Sequence, residues 1–144
     1  MLRAMYSAYV LVAGFVVMGM AFSVMVTGLV FLPYRKVHRF VAPVFAWVLR
    51  VATVKLRVHR HPDFDPDRPS VFAQNHINVL DAHLAAAVIP KAFCGLMHAW
   101  QFKVPIYGWL MSMSRGIPVD PTKPRSEIVE GISKAAQVRK EEGL

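Results

Sequence analysis

Polar and apolar positions divide this chain unevenly. From Ala4 to Tyr34 no Asp, Glu, Lys, Arg or His interrupts a run of 31 residues, and a bilayer span needs about 20. The run predicts an uncleaved membrane anchor over residues 1–34. A secretory signal is the competing reading, because Ala21-Phe22-Ser23 resembles a small-x-small cleavage site. But the apolar run continues to Phe31, and a signal's apolar region is only about 7–15 residues. Gly19, Ser23 and Thr27 lie four apart on one helical face, a spacing that permits close helix contact. The run is long for one span and could tilt, or bend near Gly28 and Pro33 into a shallow hairpin.

Past the run the pattern changes repeatedly. Arg35-Lys36-Val37-His38-Arg39 forms a basic collar. Residues 40–54 are apolar nearly all round, with Trp47 and one charge, Arg50. They predict a helix lying against the membrane or the protein body. Residues 55–60, KLRVHR, alternate polar and apolar and read as a strand. A Pro-rich loop follows. The spacing of Asp63, Asp65 and Asp67 hints at calcium, but an EF-hand glycine is missing and Pro66 interrupts. His59 and His61 lack further ligands nearby, so no metal is expected. Strands are predicted at 70–74, 92–97 and 116–119, and helices at 81–89, 104–114 and 126–142. In the last helix Ile128, Ile132, Ala135 and Val138 form a stripe among charges. Strands alternating with helices predict an α/β domain over 55–144, behind the anchor of 1–34 and an interfacial segment of 35–54.

Charge sharpens the membrane reading. The net charge is +8, and the first acidic residue is Asp63. Before it stand Arg3, Arg35, Lys36, Arg39, Arg50, Lys55, Arg57 and Arg60; from Asp63 onward, basic and acidic residues balance. Almost all of that charge follows the apolar run, which by the positive-inside bias predicts a membrane protein, single-pass or monotopic, with its remainder on the cytoplasmic side. The same charges suit an anionic lipid surface. Nucleic acid is not an expected partner, since the charges flank an apolar segment and form no recognition motif. Cys94 is the only cysteine, so no internal disulfide forms and a reducing compartment fits.

Residues 72–81 read FAQNHINVLD. Five residues along a regular helix turn by roughly 140°, so His76 and Asp81 share no helical face. They meet if His76 sits in a strand-to-helix turn and Asp81 near the helix start, where Asp also caps well. The carboxylate then holds one ring nitrogen and the other is free to take a proton. That is the base-plus-orienter half of a catalytic triad. No motif places a serine or cysteine as nucleophile, which suits direct deprotonation of a substrate hydroxyl. On spacing alone, a capping Asp81 and a polar loop His76 is the simpler account.

The same ten residues resemble the first block of the glycerophospholipid acyltransferases of the 1-acylglycerol-3-phosphate acyltransferase type. Asn75, His76 and Asp81 match, and Asn78 stands where Ser is common. Phe102 to Trp109 resembles the family's Pro-aromatic-Gly segment, and Arg115-Gly116-Ile117-Pro118-Val119-Asp120 its acceptor block. The order fits across roughly 35–144. The resemblance implies a glycerol-phosphate acyltransferase-type α/β domain. It implies transfer of a fatty acyl group from acyl-CoA or acyl-carrier protein to a lysophospholipid hydroxyl, lysophosphatidate to phosphatidate, in phospholipid biosynthesis. His76 would be the base, Asp81 its orienter, and Asn75 and Asn78 supports of the turn. Gly116 would let the acceptor head group approach the backbone. No cofactor is implied beyond the acyl donor as co-substrate.

Three departures bear on this expectation. Pro121 stands where the family has Arg; Lys123 and Arg125 lie close, either as phosphate ligands or as solvated loop charges. His98-Ala99-Trp100 replaces a Lys-x-Glu. A Glu-Gly-Thr-Arg block is absent, so the chain reads as the N-terminal part of such an enzyme or as a truncated member. The alternatives are an acyltransferase with another acceptor, an aminolipid or glycolipid, and a non-catalytic membrane-anchored protein that binds lipid or a partner.

Overall fold

The computed structural model describes residues 1–68, 70–75 and 78–144. Helix α1, Leu2–Phe31, carries no charge after Arg3 and is long and apolar enough to cross a membrane. It stops where Leu32 turns extended and Pro33, with φ fixed, starts helix α2, Tyr34–Val51. The two helices form an antiparallel hairpin with its bend at Leu32 and Pro33. A Cβ built on Gly28 would lie 2.7 Å from Val37 Cγ1, so only glycine lets the helices approach there. At the open end Tyr6 donates its hydroxyl to the Ala52 carbonyl at 2.9 Å.

Helix α2 begins six residues before the predicted apolar segment. Tyr34, Val37, His38, Val41, Ala42, Phe45, Val48 and Leu49 are its buried residues, a helical stripe. Arg35, Lys36, Arg39, Phe40, Trp47 and Arg50 occupy the exposed side. The basic collar is thus the outer face of a helix whose inner face is core. Thr53 ends it in the left-handed region (φ 53°), with Val54 N–H bonding the Leu49 carbonyl at 2.8 Å and Thr53 N–H that of Arg50 at 2.9 Å, a Schellman closure.

The remainder is built on this hairpin. Helix α3, Asp81–Val88, packs on α2. Strand β1, Leu96–His98, leads through a 3₁₀ turn, Ala99–Lys103, into helix α4, Tyr107–Met113. Arg115 (φ 63°) closes α4 by a second Schellman pair. The chain then returns as strand β2, Ile117–Val119, parallel to β1 with Leu96 opposite Ile117 and His98 opposite Val119. Helix α5, Arg125–Glu141, covers β2. The core gathers Ala21, Met25, Val37, Val41, Phe45, Tyr107 and Leu110. Met25 and Leu110, each 1 % exposed, contribute about 1.5–3 kcal/mol apiece by burial.

The α/β expectation is met by a small parallel sheet in a mostly helical structure. Residues 55–60 and 70–74 are irregular rather than strands. Their residues are exposed throughout, and a strand is stabilised by a paired neighbour, not by its own alternation. Arg60 instead donates to the Val88 carbonyl at 3.1 Å, closing the end of α3. The expected strand at 92–97 shortens to Leu96–His98, and the expected helix at 104–114 to Tyr107–Met113.

Candidate active site

A polar turn precedes α3. Asn78 Oδ1 accepts from the Leu80 N–H at 2.7 Å, and the Asn78 carbonyl accepts from the Asp81 N–H at 3.3 Å. This is the self-bonded turn that Asn forms readily. Leu80 takes the cap position, and Asp81 is the first residue of the helix. A carboxylate there is favoured by the unpaired N–H groups and dipole of the helix start. Asp81 is only 5 % exposed, and its Oδ2 accepts from the Asn78 N–H at 3.2 Å. Gln74 Nε2 donates to the Asp81 carbonyl at 3.4 Å, tying the segment before the turn to the helix after it. His76 lies outside the described residues, as do Pro69 and Ile77. Asn75 is exposed in an irregular stretch.

Asp81, Asn78 and Gln74 border a cavity of about 390 Å³. Its other walls are largely apolar: Met25 from α1, Val41 and Phe45 from α2, Ala82, Ala85 and Ala86 from α3, and Leu110 and Met111 from α4. Gly116 also borders it. The space beside its Cα is already claimed, however. A Cβ there would lie 2.9 Å from the Met111 carbonyl and 3.1 Å from the Phe102 ring. The bare backbone at Gly116 is therefore required by the chain's own packing.

Lys123 and Arg125 do not border the cavity. Lys123 is ion-paired with Glu127 one turn along α5, and the pair holds its ammonium above the usual lysine range. Asp120 accepts from the Thr122 hydroxyl at 2.7 Å and from its N–H at 3.0 Å, and these bonds hold its carboxyl below the usual range. This acceptor-block loop is organised by internal bonds. Arg125 is exposed at the start of α5.

Two histidines outside the sequence-derived set belong to this region. His83, 3 % exposed, shares a 3.0 Å hydrogen bond between Nδ1 and the Phe45 carbonyl, and its ring lies 4.0 Å from the Phe45 ring. A carbonyl only accepts, so Nδ1 carries the proton. His38, 8 % exposed, borders the cavity between Tyr34 and Phe93. Burial lowers both to about 4, so both are neutral at neutral pH. His38 was legible only by extending the helical stripe back into the collar. Among the described residues no three His, Cys, Asp or Glu side chains gather where they could hold a metal.

The described residues thus bring a buried carboxylate, anchored at a helix start, to the edge of a largely apolar cavity. The chain belongs to the acyltransferase family, whose domain matches residues 55–143. It is 31 % identical over 102 residues to a chloroplastic 1-acyl-sn-glycerol-3-phosphate acyltransferase of Arabidopsis thaliana, covering 69 % of this chain and 28 % of that one. It is 28 % identical over 95 residues to a second chloroplastic enzyme of that description, from Brassica napus, covering 65 % and 27 %. The chain thus spans less than a third of the length of these relatives. No solved structure gives a significant match.

Proposed function

We propose that this protein transfers a fatty acyl group from acyl-CoA or acyl-carrier protein to the free hydroxyl of a lysophospholipid of the lysophosphatidate type, in phospholipid biosynthesis. The observation that carries the reading is the buried Asp81 carboxylate, fixed by the Asn78 N–H at the edge of a cavity suited to a fatty chain. In this reading Asp81 orients the His76 imidazole and stabilises its charged form. His76 takes the proton of the acceptor hydroxyl as that oxygen attacks the thioester carbonyl. The tetrahedral adduct collapses, the carbon–sulfur bond breaks, and the thiolate leaves with the proton held on His76. The thioester is already activated, so the reading needs no resident cofactor. Asn78, with Asn75 in the preceding segment, supports the turn.

A different acceptor, an aminolipid or glycolipid, is favoured by one feature. With Pro121 in the acceptor block and Lys123 engaged by Glu127, Arg125 is, among the described residues, the candidate phosphate cation of that loop left uncommitted. Lysolipid competition separates the two acceptors.

The same reading places the protein at a membrane. The exposed apolar residues of α1 include Leu11, Val12, Phe15, Val16, Val30 and Phe31. The exposed face of α2 carries Arg35, Lys36, Arg39 and Arg50 with Phe40 and Trp47. If α1 crossed the bilayer upright, α2 alongside it would carry arginines into hydrocarbon, each costing about 2.5–3.5 kcal/mol at the centre. This supports a monotopic hairpin, with α1 sunk into the interface, the α2 charges at head groups, and the domain on the cytoplasmic side.

The test is acyl transfer by membranes carrying the chain, with labelled donor and lysophosphatidate. His76→Ala is expected to cut turnover by about 10²–10⁴. Asp81→Asn is expected to cut it while circular dichroism stays unchanged. Near-full turnover by His76→Ala refutes the mechanism.

A further inference from the structure

We propose that His38 hydrogen-bonds an oxygen of the bound lipid inside the apolar cavity, either an acceptor ester carbonyl or a hydroxyl on an acyl chain. The inference rests on the acyl-transfer reading above and adds a specificity residue to it.

His38 is more than nine-tenths buried and borders the cavity. Among the described residues its ring nitrogens have no hydrogen-bond partner. No fully buried side-chain nitrogen or oxygen among the described residues lacks a partner, so these nitrogens reach open space, and the cavity that His38 borders supplies it. The ring is held edge-on by Tyr34, 5.7 Å away at 82°, and by Phe93, 5.4 Å away at 75°. Tyr34 makes only a ring contact with it, and the Tyr34 hydroxyl donates to the Phe93 carbonyl at 3.0 Å. His83 shows the contrast: equally enclosed, it is satisfied by the Phe45 carbonyl.

A phenylalanine at 38 would make the same ring contacts without the desolvation cost. The nitrogens therefore have a use only toward what fills the cavity. Since the ring is neutral, it offers one N–H and one lone pair. A carbonyl oxygen takes the first, and a hydroxyl takes either. Position narrows the role further. His38 and Phe45 lie on the same buried face of α2, seven residues or roughly 10 Å apart along the axis. Phe45 stacks on His83, two residues from Asp81. His38 thus stands away from the acyl-transfer end and contacts a remote part of the lipid. It is a positioning and specificity residue.

The experiment measures binding by the full chain in detergent micelles, with histidine ring nitrogens isotope-labelled for NMR. One pair of probes is ester-linked lysophosphatidate and its ether-linked analogue. The other is a plain acyl-CoA and the matching 3-hydroxyacyl-CoA. The unaltered chain is expected to prefer the oxygen-bearing member of one pair by roughly tenfold or more, with a shift of the His38 ring nitrogens only on that member. His38→Phe is expected to abolish that preference and leave the poorer ligand's affinity unchanged. Preference within the first pair identifies the acceptor ester, and within the second a chain hydroxyl. Should His38→Phe fail to fold, the nitrogen shifts of the unaltered chain decide. Equal binding within both pairs, with unmoved His38 signals, overturns the inference and leaves the acyl-transfer reading standing. Failure to bind any of the four probes overturns both.

Discussion

Acid should unfold this protein through His83 and His38. Burial lowers both folded-state values from 6.5 to about 4; for His83 the Phe45 carbonyl partly opposes the shift. In the unfolded chain both imidazoles take up protons as pH falls below 6.5, whereas the folded state refuses them until about 4. Stability rises with pH wherever the unfolded state binds more protons. It is therefore full above 6.5 and lost on the way down to about 4. Each histidine contributes a slope of about 1–2 kcal/mol per pH unit inside that window, and the pair roughly 3. Two units of acidification then remove a large part of the about 5–15 kcal/mol that holds an ordinary domain together. His83→Gln keeps a donor for the Phe45 carbonyl and removes one titration. Thermal unfolding in neutral detergent, followed by tryptophan fluorescence from pH 7.5 to 4.5, should show Tm falling with acid in the parent and about half as steeply in His83→Gln. A Tm difference between the two that does not change with pH would show that the folded state accepts the proton freely, and would refute the reasoning.

Two further outcomes test the hairpin. Gly28→Leu should lower stability by about 1–3 kcal/mol, as overpacking does, because its Cβ would already meet Val37 Cγ1 at 2.7 Å; an unchanged Tm would mean the helices do not meet there. In sealed vesicles, a tag ahead of Met1 and the exposed loop near Arg60 should be cut by protease from the same, cytoplasmic face, whereas a tag protected while the loop is cut would mean that α1 spans the bilayer.

The helices were legible because their information is local. The uncharged run gives α1, and the Ala-rich stretch before Pro90 gives α3 to within a residue. The stripe of Ile128, Ile132 and Ala135 gives α5 likewise. Strands carry half their information in a partner elsewhere, and that is where the reading failed. KLRVHR alternates as well as many true strands, yet its residues are exposed on both sides and no ladder forms. The start of α2 was hidden for another reason. Arg35, Lys36 and Arg39 dominate residues 35–39 and suggest a solvated collar, but at helical spacing they leave Tyr34, Val37, His38 and Val41 on the opposite side. Charge density there describes one face of a helix and not the whole segment.

The same geometry hides half of the site from the sequence. The Asp81 end could be read, since turn, carboxylate and helix start are contiguous. The cavity could not, because its walls come from α1, α2, α3 and α4 and from Gly116, a separation of some ninety residues from Met25 to Gly116. Its one buried histidine without a partner among the described residues lies in what read as a membrane-facing collar. Three histidines thus acquire separate meanings from their settings. In the proposed mechanism His76 draws its role from the Asp81 that follows it, whereas His83 is a core ring tied to the Phe45 carbonyl. His38 has ring neighbours and no internal bond. Residue type alone assigns none of these, and spacing assigns only the first. For the other two the deciding fact is whether the folded chain supplies a partner for the imidazole: where it does, the ring is structure, and where it does not, the partner has to come from what the cavity binds.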